Sequence, residues 1–530
     1  MLHKYQAPEI SFSTHKPSMK TYKQDKTAPK SFFTKILNIV ERAGNALPHP
    51  ATLFLLFALA ALAFSWLGSI LNWEAIHPGT KEVIEPVNLL SKDGLHRILL
   101  DMVKNFTSFA PLGIVLVAML GISIGESSGL IAAGIRTLVL SAPKKLLTFF
   151  LVLAGILSNL ASDVGYVLLI PLGGVIFSSV GRHPIVGMAA AFAGVSGGFS
   201  ANLVLGTIDP LLAGLSEEAA HIIDPEYTVN PTANYYFMVV STFIVAITGT
   251  WVTEKLIAPR FAKYEGEQQT EMIQRLSKKE KKGLRNAMFV LLGLIGITLI
   301  GLVPQNGIFR GNDGGILTSP LIKGVVSLLF LGFAGMGITY GLTIGKYKSD
   351  SDVIKGMGEG MKTMALYIVL VFFAAQFVAY FKWSNLGMIF AIKGANTLMS
   401  ANLGIIPLML LFIGFAASMN MLMGSASAKW AIMGPVLIPM FMIMGYSPEL
   451  SQVVFRIGDS VTNVISPMMS FFALIIAFFQ KYDKKAGIGT IISTMLPYSV
   501  VFFVAWTILL IIWIVIGLPL GPNAGLYYNM

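Results

Sequence analysis

The 530-residue chain contains no cysteine, and only 12% of its residues are charged. The lack of cysteine excludes disulfide bonds and Cys-ligated metal sites. The shortage of charge, together with 55% hydrophobic residues and a mean hydropathy of +0.71, excludes a protein with only a soluble core. No Walker motif is present, which disfavours direct drive by ATP. The net charge of +11 comes from basic residues in the N-terminal tail and between apolar runs, so it indicates membrane orientation rather than binding to nucleic acid.

The sequence contains many long apolar runs, and a helix needs roughly 20 apolar residues to cross a bilayer. The runs are continuously apolar and lack the alternation of a β-barrel. We therefore expect an all-α polytopic protein in the lipid bilayer of the bacterial inner membrane. The predicted crossings are 51–72, 110–126, 184–214, 235–258, 286–304, 321–345, 364–382, 450–480 and 488–518.

Two further apolar stretches, 146–181 and 404–445, contain polar and small residues midway and are predicted to be re-entrant hairpins. Lys144 and Lys145 precede the first stretch and Arg182 follows it, so the positive-inside rule places both of its ends in the cytoplasm. The second stretch is flanked by weakly charged segments and is predicted to enter from the opposite face.

The same rule orients the rest of the chain. The tail 1–34 is predicted to be disordered and cytoplasmic, and the linker 259–285, with eight Lys and Arg residues, is also cytoplasmic. The loop 216–233 has four acidic residues and no Lys or Arg, so it is placed outside. Nine crossings then put the N-terminus inside and the C-terminus outside.

The linker separates two halves, 35–258 and 286–530, that show the same order of features. In each half a hairpin with a polar tip precedes a Pro-led helix that is interrupted by small and polar residues. The tips are 158–163 and 424–430, and the interrupted helices are 184–214 and 450–480. Because the hairpins start from opposite sides, we predict an inverted repeat, in which paired interruptions mark a binding site near the middle of the membrane.

Ionisable side chains inside a span cost about 2.5 kcal/mol or more at the helix centre, so each needs a partner or a water-filled cavity. One helical face carries four polar residues at spacings of three, four and seven: Arg456, Asp459, Ser460 and Asn463. Two interpretations remain open. In one, Arg456 and Asp459 form an internal ion pair that only stabilises the helix. In the other, Arg456 binds an anionic substrate group and Asp459 binds a cation.

Small and polar residues should loosen both interrupted helices and expose carbonyl oxygens, which suit a hard cation such as sodium when Asn, Ser and Asp side chains complete the site. One predicted sodium site uses the first tip and the first interruption: Asn159, Asp163, Ser196, Gly198 and Asn202. A mirrored site uses Ser425, Ser427, Asp459 and Asn463. The alternative interpretation of the glycines is close helix packing.

Trp430 lies beside Lys429 at the second tip and is a candidate stacking surface for an aromatic substrate, with Lys429 as a partner for its anionic group. The alternative is a tryptophan that anchors a helix at the membrane interface.

Four sequence blocks together resemble the p-aminobenzoyl-glutamate transporter family: Ser158–Asp163, Gly194–Asn202, Gly424–Trp430 and Phe455–Asn463, the last reading FRIGDSVTN. The resemblance implies a homodimeric elevator-type transporter with nine spanning helices and two hairpins, related in plan to dicarboxylate–sodium transporters. It also implies p-aminobenzoyl-glutamate as a substrate, export of sulfonamide antimetabolites, and sodium or protons as the driving ion.

Residue by residue, the resemblance marks substrate and cation positions at Trp430, Pro448, Arg456 and Asp459, with Asn463 nearby. It also implies an acid in the first half, which is either Asp163 or Asp209. The full set of candidate substrate-binding residues is Trp430, Lys429, Arg456, Pro448, Asn202, Asp209, Ser425 and Ser427.

These observations favour a secondary transporter of aromatic carboxylates or sulfonamides, driven by sodium or protons and without another cofactor. A sodium-coupled dicarboxylate or short-chain acid symporter is the alternative, against which Trp430 argues because such substrates have no ring to stack. An intramembrane hydrolase lacks a nucleophile–base motif and would leave the repeat unexplained.

Overall fold

The computed structural model describes residues 48–76, 81–160, 165–261, 276–316 and 318–529. The predicted tail 1–34, the candidate sodium ligand Asp163 and residues 262–275 of the linker lie outside the described residues.

Within the described residues the regular structure is helical, apart from one antiparallel ribbon of β1 (Ala75–Ile76) and β2 (Val83–Ile84). The helices before the linker are α1 (Pro50–Ile70), α2 (Lys92–Thr107), α3 (Ala110–Ser128), α4 (Leu130–Leu140), α5 (Leu147–Leu157), α6 (Ile170–Ser179), α7 (Pro184–Phe192), α8 (Ile208–Ala220) and α9 (Tyr235–Val252). The helices after it are α10 (Lys278–Leu302), α11 (Pro320–Lys323), α12 (Val325–Ile344), α13 (Asp350–Thr363), α14 (Ala365–Trp383), α15 (Leu386–Ser400), α16 (Ile405–Leu422), α17 (Ala426–Ile443), α18 (Pro448–Asn463), α19 (Phe472–Gln480) and α20 (Ile488–Ile516). The predicted all-α membrane architecture is confirmed.

Nine helices in the described part of the chain are long and apolar enough to cross a membrane. They are Pro50–Ile70, Lys92–Ser128, Tyr235–Arg260, Lys278–Leu302, Val325–Ile344, Ala365–Trp383, Ile405–Leu422, Ala426–Ile443 and Ile488–Ile516. The number agrees with the prediction, but the set differs. Both arms of the stretch 404–445 belong to it, whereas the predicted crossings 184–214 and 450–480 are each divided into two shorter helices.

The first piece of each divided helix ends at a local feature of the backbone that interrupts regular α-helical hydrogen bonding. In the first half α7 continues into a π-helical turn, Ala193–Gly197, and α8 begins only at Ile208. In the second half α18 ends at Asn463, shortly before Pro467, which has no N–H group to continue a helix. Each break frees backbone groups from the helical ladder, and such groups then need other partners.

Several glycines in and beside these helices are sites of close packing. A Cβ atom on Gly155 would lie 2.8 Å from Gly194 Cα, and one on Gly458 would lie 2.6 Å from the Ile413 carbonyl oxygen. At the candidate ligand Gly198 it would lie 2.5 Å from an isoleucine side chain. Any side chain would clash at these distances, so the close-packing interpretation holds at these positions.

Both interrupted apolar stretches fold back on themselves. Arg182, just after the second arm of the first stretch, donates to Thr148 Oγ1 at the start of the first arm at 3.0 Å and pairs with Glu254 on the adjoining segment at 2.9 Å. In the second stretch the arms α16 and α17 contact through the rings of Phe412 and Phe441, whose centroids are 5.2 Å apart. Both stretches are therefore helical hairpins; re-entrance, which concerns their depth in a membrane, stays a prediction.

Cysteine labelling tests the predicted re-entrance of the first hairpin in this cysteine-free chain. We expect Lys144→Cys and Val180→Cys to react with a membrane-impermeant maleimide from the same, cytoplasmic side, because both positions line one cavity at the base of the hairpin. Glu226→Cys, in the loop predicted outside, is the control and should react only in right-side-out cells. Labelling of positions 144 and 180 from opposite sides would contradict the hairpin.

The C-terminal segment fixes the start of α18. The Ser447 N–H donates to the Leu526 carbonyl at 3.1 Å. Ser447 also caps α18, since its hydroxyl accepts the Leu450 N–H at 3.1 Å. The helix that carries Arg456 and Asp459 is therefore held at its N-terminus.

Candidate functional site

Four buried ionisable side chains form two ion pairs between the interrupted helices and the second hairpin. Arg456 Nη2 lies 2.5 Å from Asp209 Oδ1, and Lys429 Nζ pairs with Asp459 Oδ1. No more than 4% of any of these side chains is exposed. The first pair joins α8 in the first half to α18 in the second, and the second pair joins α17 to α18. The interpretation of an internal Arg456–Asp459 pair is therefore wrong, because each residue finds its partner on another helix.

The Arg456–Asp209 pair keeps an unused hydrogen-bond donor. Asp209 lies in the first turn of α8, where the helix dipole stabilises a carboxylate, and its Oδ2 accepts the Gly206 N–H at 2.7 Å. Arg456 Nη1 contacts Met238 Sδ at 3.4 Å. The buried Arg456 Nε has no hydrogen-bond partner among the described residues. The guanidinium can therefore accommodate an additional anionic oxygen.

Asn420 connects the second ion pair to α18. Its side-chain oxygen accepts a hydrogen bond from Lys429 Nζ, and its amide nitrogen donates to the Asp459 carbonyl at 2.7 Å and to Asn463 Oδ1 at 2.9 Å. Asn463 donates to Asp459 Oδ2 at 3.3 Å. Lys429, which was expected to meet a substrate anion, is thus engaged by Asp459 and Asn420 in this structure.

The predicted second-half sodium ligands fall into two groups. Asp459 and Asn463 contact each other on α18. The hydroxyls of Ser425 and Ser427 lie 3.1 Å apart at the hairpin tip, where Ser425 is exposed and caps α17 by accepting the Ala428 N–H at 3.3 Å. Ser425 is therefore exposed and Ser427 half-buried, while the carboxylate of Asp459 is buried.

The described first-half candidate ligands lie at the first tip, in the π-helical turn and just after that turn. Asn159 Nδ2 donates to the Val195 carbonyl at 3.1 Å, so the tip contacts the turn directly. Ser196 Oγ contacts Met469 Sδ at 3.4 Å, and Asn202 Oδ1 accepts the N–H of the next residue at 2.9 Å. The structure thus brings Asn159 to the turn that contains Ser196.

Trp430 is fully buried. Its ring stacks on Phe455 with centroids 4.6 Å apart, and its indole N–H donates to Ser216 Oγ at 2.9 Å. Ser216 in turn donates to Gln452 Oε1 at 2.8 Å. A tryptophan that anchors a helix at the headgroups would expose its ring, so the interfacial alternative is wrong. Trp430 instead links the second hairpin to both interrupted helices.

Two further contacts position α18. Pro448 is buried at its first position, after the cap residue Ser447, where the missing N–H costs no helical hydrogen bond. Ser460 Oγ accepts the Ser200 N–H at 3.1 Å, which joins α18 to the first interruption. Candidate residues of the two halves therefore meet along α18.

Sequence reasoning missed three residues of this site, Asn420, Ser216 and Gln452, none more than 1% exposed. Asn420 could have been found from the sequence, because it is the one amide side chain in the apolar helix α16 and a buried amide needs hydrogen-bond partners. Ser216 and Gln452 could not have been found in this way, since hydroxyl and amide side chains are common near helix ends.

The oxygen atoms around Asp459 are candidate ligands for a cation. Among the described residues, no three His, Asp or Glu side chains converge as a metal centre would require. A cation in the place of the Lys429 ammonium would have the carboxylate of Asp459 and the side-chain oxygen of Asn420, which are hard ligands, whereas Asn463 faces Asp459 with its amide nitrogen.

Known proteins match this chain along most of its length. Residues 35–528 match the sequence model of the AbgT transporter family. The p-aminobenzoyl-glutamate transport protein of Escherichia coli (strain K12) is 38% identical over 495 residues, which cover 92% of this chain and 96% of that protein.

Two solved structures are similar to this one. The YdaH transporter of Alcanivorax borkumensis superposes with a TM-score of 0.86 at 44% identity, over 90% of this chain and 100% of that one. MtrF of Neisseria gonorrhoeae, which represents a class of antimetabolite efflux pumps, superposes with a TM-score of 0.88 at 48% identity, over 92% of this chain and 100% of that one.

Proposed function

Because this chain belongs to the AbgT transporter family, as its sequence blocks predicted, we propose that it carries p-aminobenzoyl-glutamate or sulfonamide-like aromatic antimetabolites across the inner membrane. A sodium or proton gradient drives the transport. The observation that carries the proposal is the buried Arg456–Asp209 pair with its unused Nε donor, on the same helix as the ring that stacks on Trp430.

An aromatic carboxylate offers two features that these residues fit. Its carboxylate matches the planar donors of Arg456, and its ring matches the stacked pair of Trp430 and Phe455. In this conformation Phe455 covers one face of the Trp430 indole. A substrate ring can therefore stack on that face only after the hairpin tip has moved. Gly424 and Ser425 are exposed at that tip, where a hinge would act.

The coupling cation binds next to Asp459 in this proposal. In the second half Asp459 supplies carboxylate oxygens, and Asn463 lies beside it with its amide N–H on Asp459 Oδ2. A separate first-half site uses Asn159, Ser196, Gly198 and Asn202. We further propose that the chain acts as a homodimer whose hairpins and interrupted helices move together in an elevator-type cycle, with the N-terminus in the cytoplasm and the C-terminus outside.

A dicarboxylate or short-chain acid symporter is the second candidate, and one contact favours it. Phe455 already fills the stacking position on Trp430. A small dicarboxylate needs only the guanidinium of Arg456 and the cation proposed at Asp459, and it leaves this stack undisturbed. Competition between aromatic and aliphatic acids therefore decides between the two candidates.

Uptake into proteoliposomes tests the proposed function. We expect an imposed sodium or proton gradient to drive p-aminobenzoyl-glutamate accumulation, and a sulfonamide to compete about tenfold better than succinate, since an aromatic contact is worth roughly 1.4 kcal/mol. Sodium and proton gradients are imposed separately to identify the ion. Asp459→Asn should lose the response to the gradient while still binding substrate, although it also leaves the buried Lys429 unpaired.

Two results would contradict this function. Equal competition by succinate and the sulfonamide would favour the dicarboxylate symporter. Equilibration of substrate that ignores both gradients would exclude secondary active transport.

A further inference from the structure

The Lys429 ammonium lies where a small cation would be well coordinated. It contacts Asp459 Oδ1 and Asn420 Oδ1, and its side chain is 0% exposed. The amide nitrogen of Asn420 donates to the Asp459 carbonyl at 2.7 Å and to Thr462 Oγ1 at 2.9 Å, so its oxygen faces Lys429. Carboxylate and amide oxygens are the ligands that a hard cation prefers. Lys429 and a sodium ion would therefore compete for one position.

The buried charges of the site sum to zero, since Asp209 and Asp459 balance Arg456 and Lys429. Sodium added beside Asp459 with Lys429 still in place would leave a net buried positive charge. An anion added alone would leave a net buried negative charge. Both states are unfavourable in a low-dielectric interior, whereas a cation and an anionic group bound together restore neutrality.

Lys429 lies close to the exposed tip of the second hairpin. It lies one helical turn from the tip, since its N–H donates to the Ser425 carbonyl at 3.1 Å. Ser425 and Gly424 are exposed. A flexible four-carbon stem lets the ammonium swing toward the tip while the backbone of α17 stays in place.

We propose that Lys429 is a tethered cation that substitutes for the coupling ion. It neutralises Asp459 when no sodium is bound. When sodium takes the oxygens of Asp459 and Asn420, the ammonium moves to the anionic group of the substrate. This inference rests on the proposed function and adds to it the residue that couples ion to substrate.

Lysine acylation tests the exchange on the unaltered protein, with acetic anhydride as the reagent and mass spectrometry as the readout. In choline chloride the buried Lys429 should be protected. In sodium chloride of equal ionic strength we expect its modification to rise about tenfold, within the usual size of coupling between two ligands. Added p-aminobenzoyl-glutamate should protect it again. Lys393, exposed on α15, is the internal control. Protection of Lys429 that ignores sodium overturns the proposal.

Substitution of Lys429 gives an independent test. Its readout is the sodium concentration at which sodium produces half of its maximal thermal stabilisation of the protein in nanodiscs. Lys429→Met should lower this midpoint about tenfold, because Asp459 has lost its competitor. Substrate affinity should weaken and no longer depend on sodium. Lys429→Arg keeps the charge and should retain both dependences, and Lys393→Met is the matched control. If Lys429 has only a structural role, Lys429→Met should lose the same stability in sodium as in choline, and its sodium midpoint should be unchanged. That result overturns the proposal.

The outcomes separate this inference from the function on which it rests. Suppose that p-aminobenzoyl-glutamate binds and is carried, that sodium does not expose Lys429, and that Lys429→Met has the same sodium midpoint as the unaltered protein. The inference is then wrong and the proposed function stands. If no substrate binds while sodium still exposes Lys429, the proposed function is wrong and the exchange of Lys429 with sodium is supported.

Discussion

Replacing Asp209 with asparagine should lower the free energy of unfolding by about 3–5 kcal/mol, because removing one partner of a buried ion pair leaves the other charge uncompensated. Arg456 is that charge, and Asp209 Oδ1 lies 2.5 Å from its Nη2. Transport should fall about 100-fold or more, since a loss of roughly 3 kcal/mol at the site corresponds to that factor. Denaturant unfolding in detergent and uptake into proteoliposomes measure the two effects. Arg456→Gln should destabilise the protein similarly, because it leaves Asp209 unpaired.

The double variant Asp209→Asn with Arg456→Gln separates structure from function. Both charges are gone, so we expect most of the lost stability to return, as happens when buried ion pairs are replaced by neutral groups. Transport should stay low, because no guanidinium remains for the substrate anion. Lys362→Gln is the matched control: it breaks an exposed pair with Glu359, and exposed pairs contribute at most about 1 kcal/mol. A double variant that regains both stability and transport would show that the pair is only structural.

The length of apolar runs was sufficient to predict the helical architecture, because in a membrane only helices or closed barrels satisfy the backbone. It was insufficient to decide which helices are long enough to cross. The hairpin arms α16 and α17 have 18 residues each, as many as a short crossing, whereas 184–214 and 450–480 are each divided. Polar residues in a run indicate an interruption, but the length of the gap depends on what the two pieces pack against.

Helical spacing predicted that Arg456 and Asp459 share a face, since periodicity along one helix is local. Their partners are not local. Asp209 lies 247 residues from Arg456, and Lys429 reaches Asp459 only because the second hairpin packs against α18. The sequence left Asp163 and Asp209 as alternatives for the first-half acid. The structure gives Asp209 as the partner of Arg456, whereas Asp163 lies outside the described residues.

Replacing Trp430 with alanine should cost about 3–5 kcal/mol of stability, the usual cost of truncating a large buried aromatic side chain. The side chain is 0% exposed, its ring stacks on Phe455 and its indole N–H donates to Ser216, so the substitution would leave a cavity and remove one hydrogen bond from the Ser216 hydroxyl. Affinity for aromatic substrates should also fall by about 1–2 kcal/mol, the size of a lost aromatic contact with some burial. Aliphatic dicarboxylates should lose much less, because they have no ring.

Trp506→Ala is the matched control for this substitution. Trp506 is 1% exposed, and its indole N–H donates to Ser241 Oγ at 2.7 Å, so it resembles Trp430 in burial and hydrogen bonding. Its loss should cost similar stability without changing substrate preference, because its indole N–H is bonded to α9 and not to a residue that pairs with substrate in our proposal. The measurement is competition of p-aminobenzoyl-glutamate against succinate at fixed sodium in both variants. If both variants lose stability and both keep the full aromatic preference, Trp430 serves only the packing of the hairpin against α18, and the substrate ring must be recognised elsewhere.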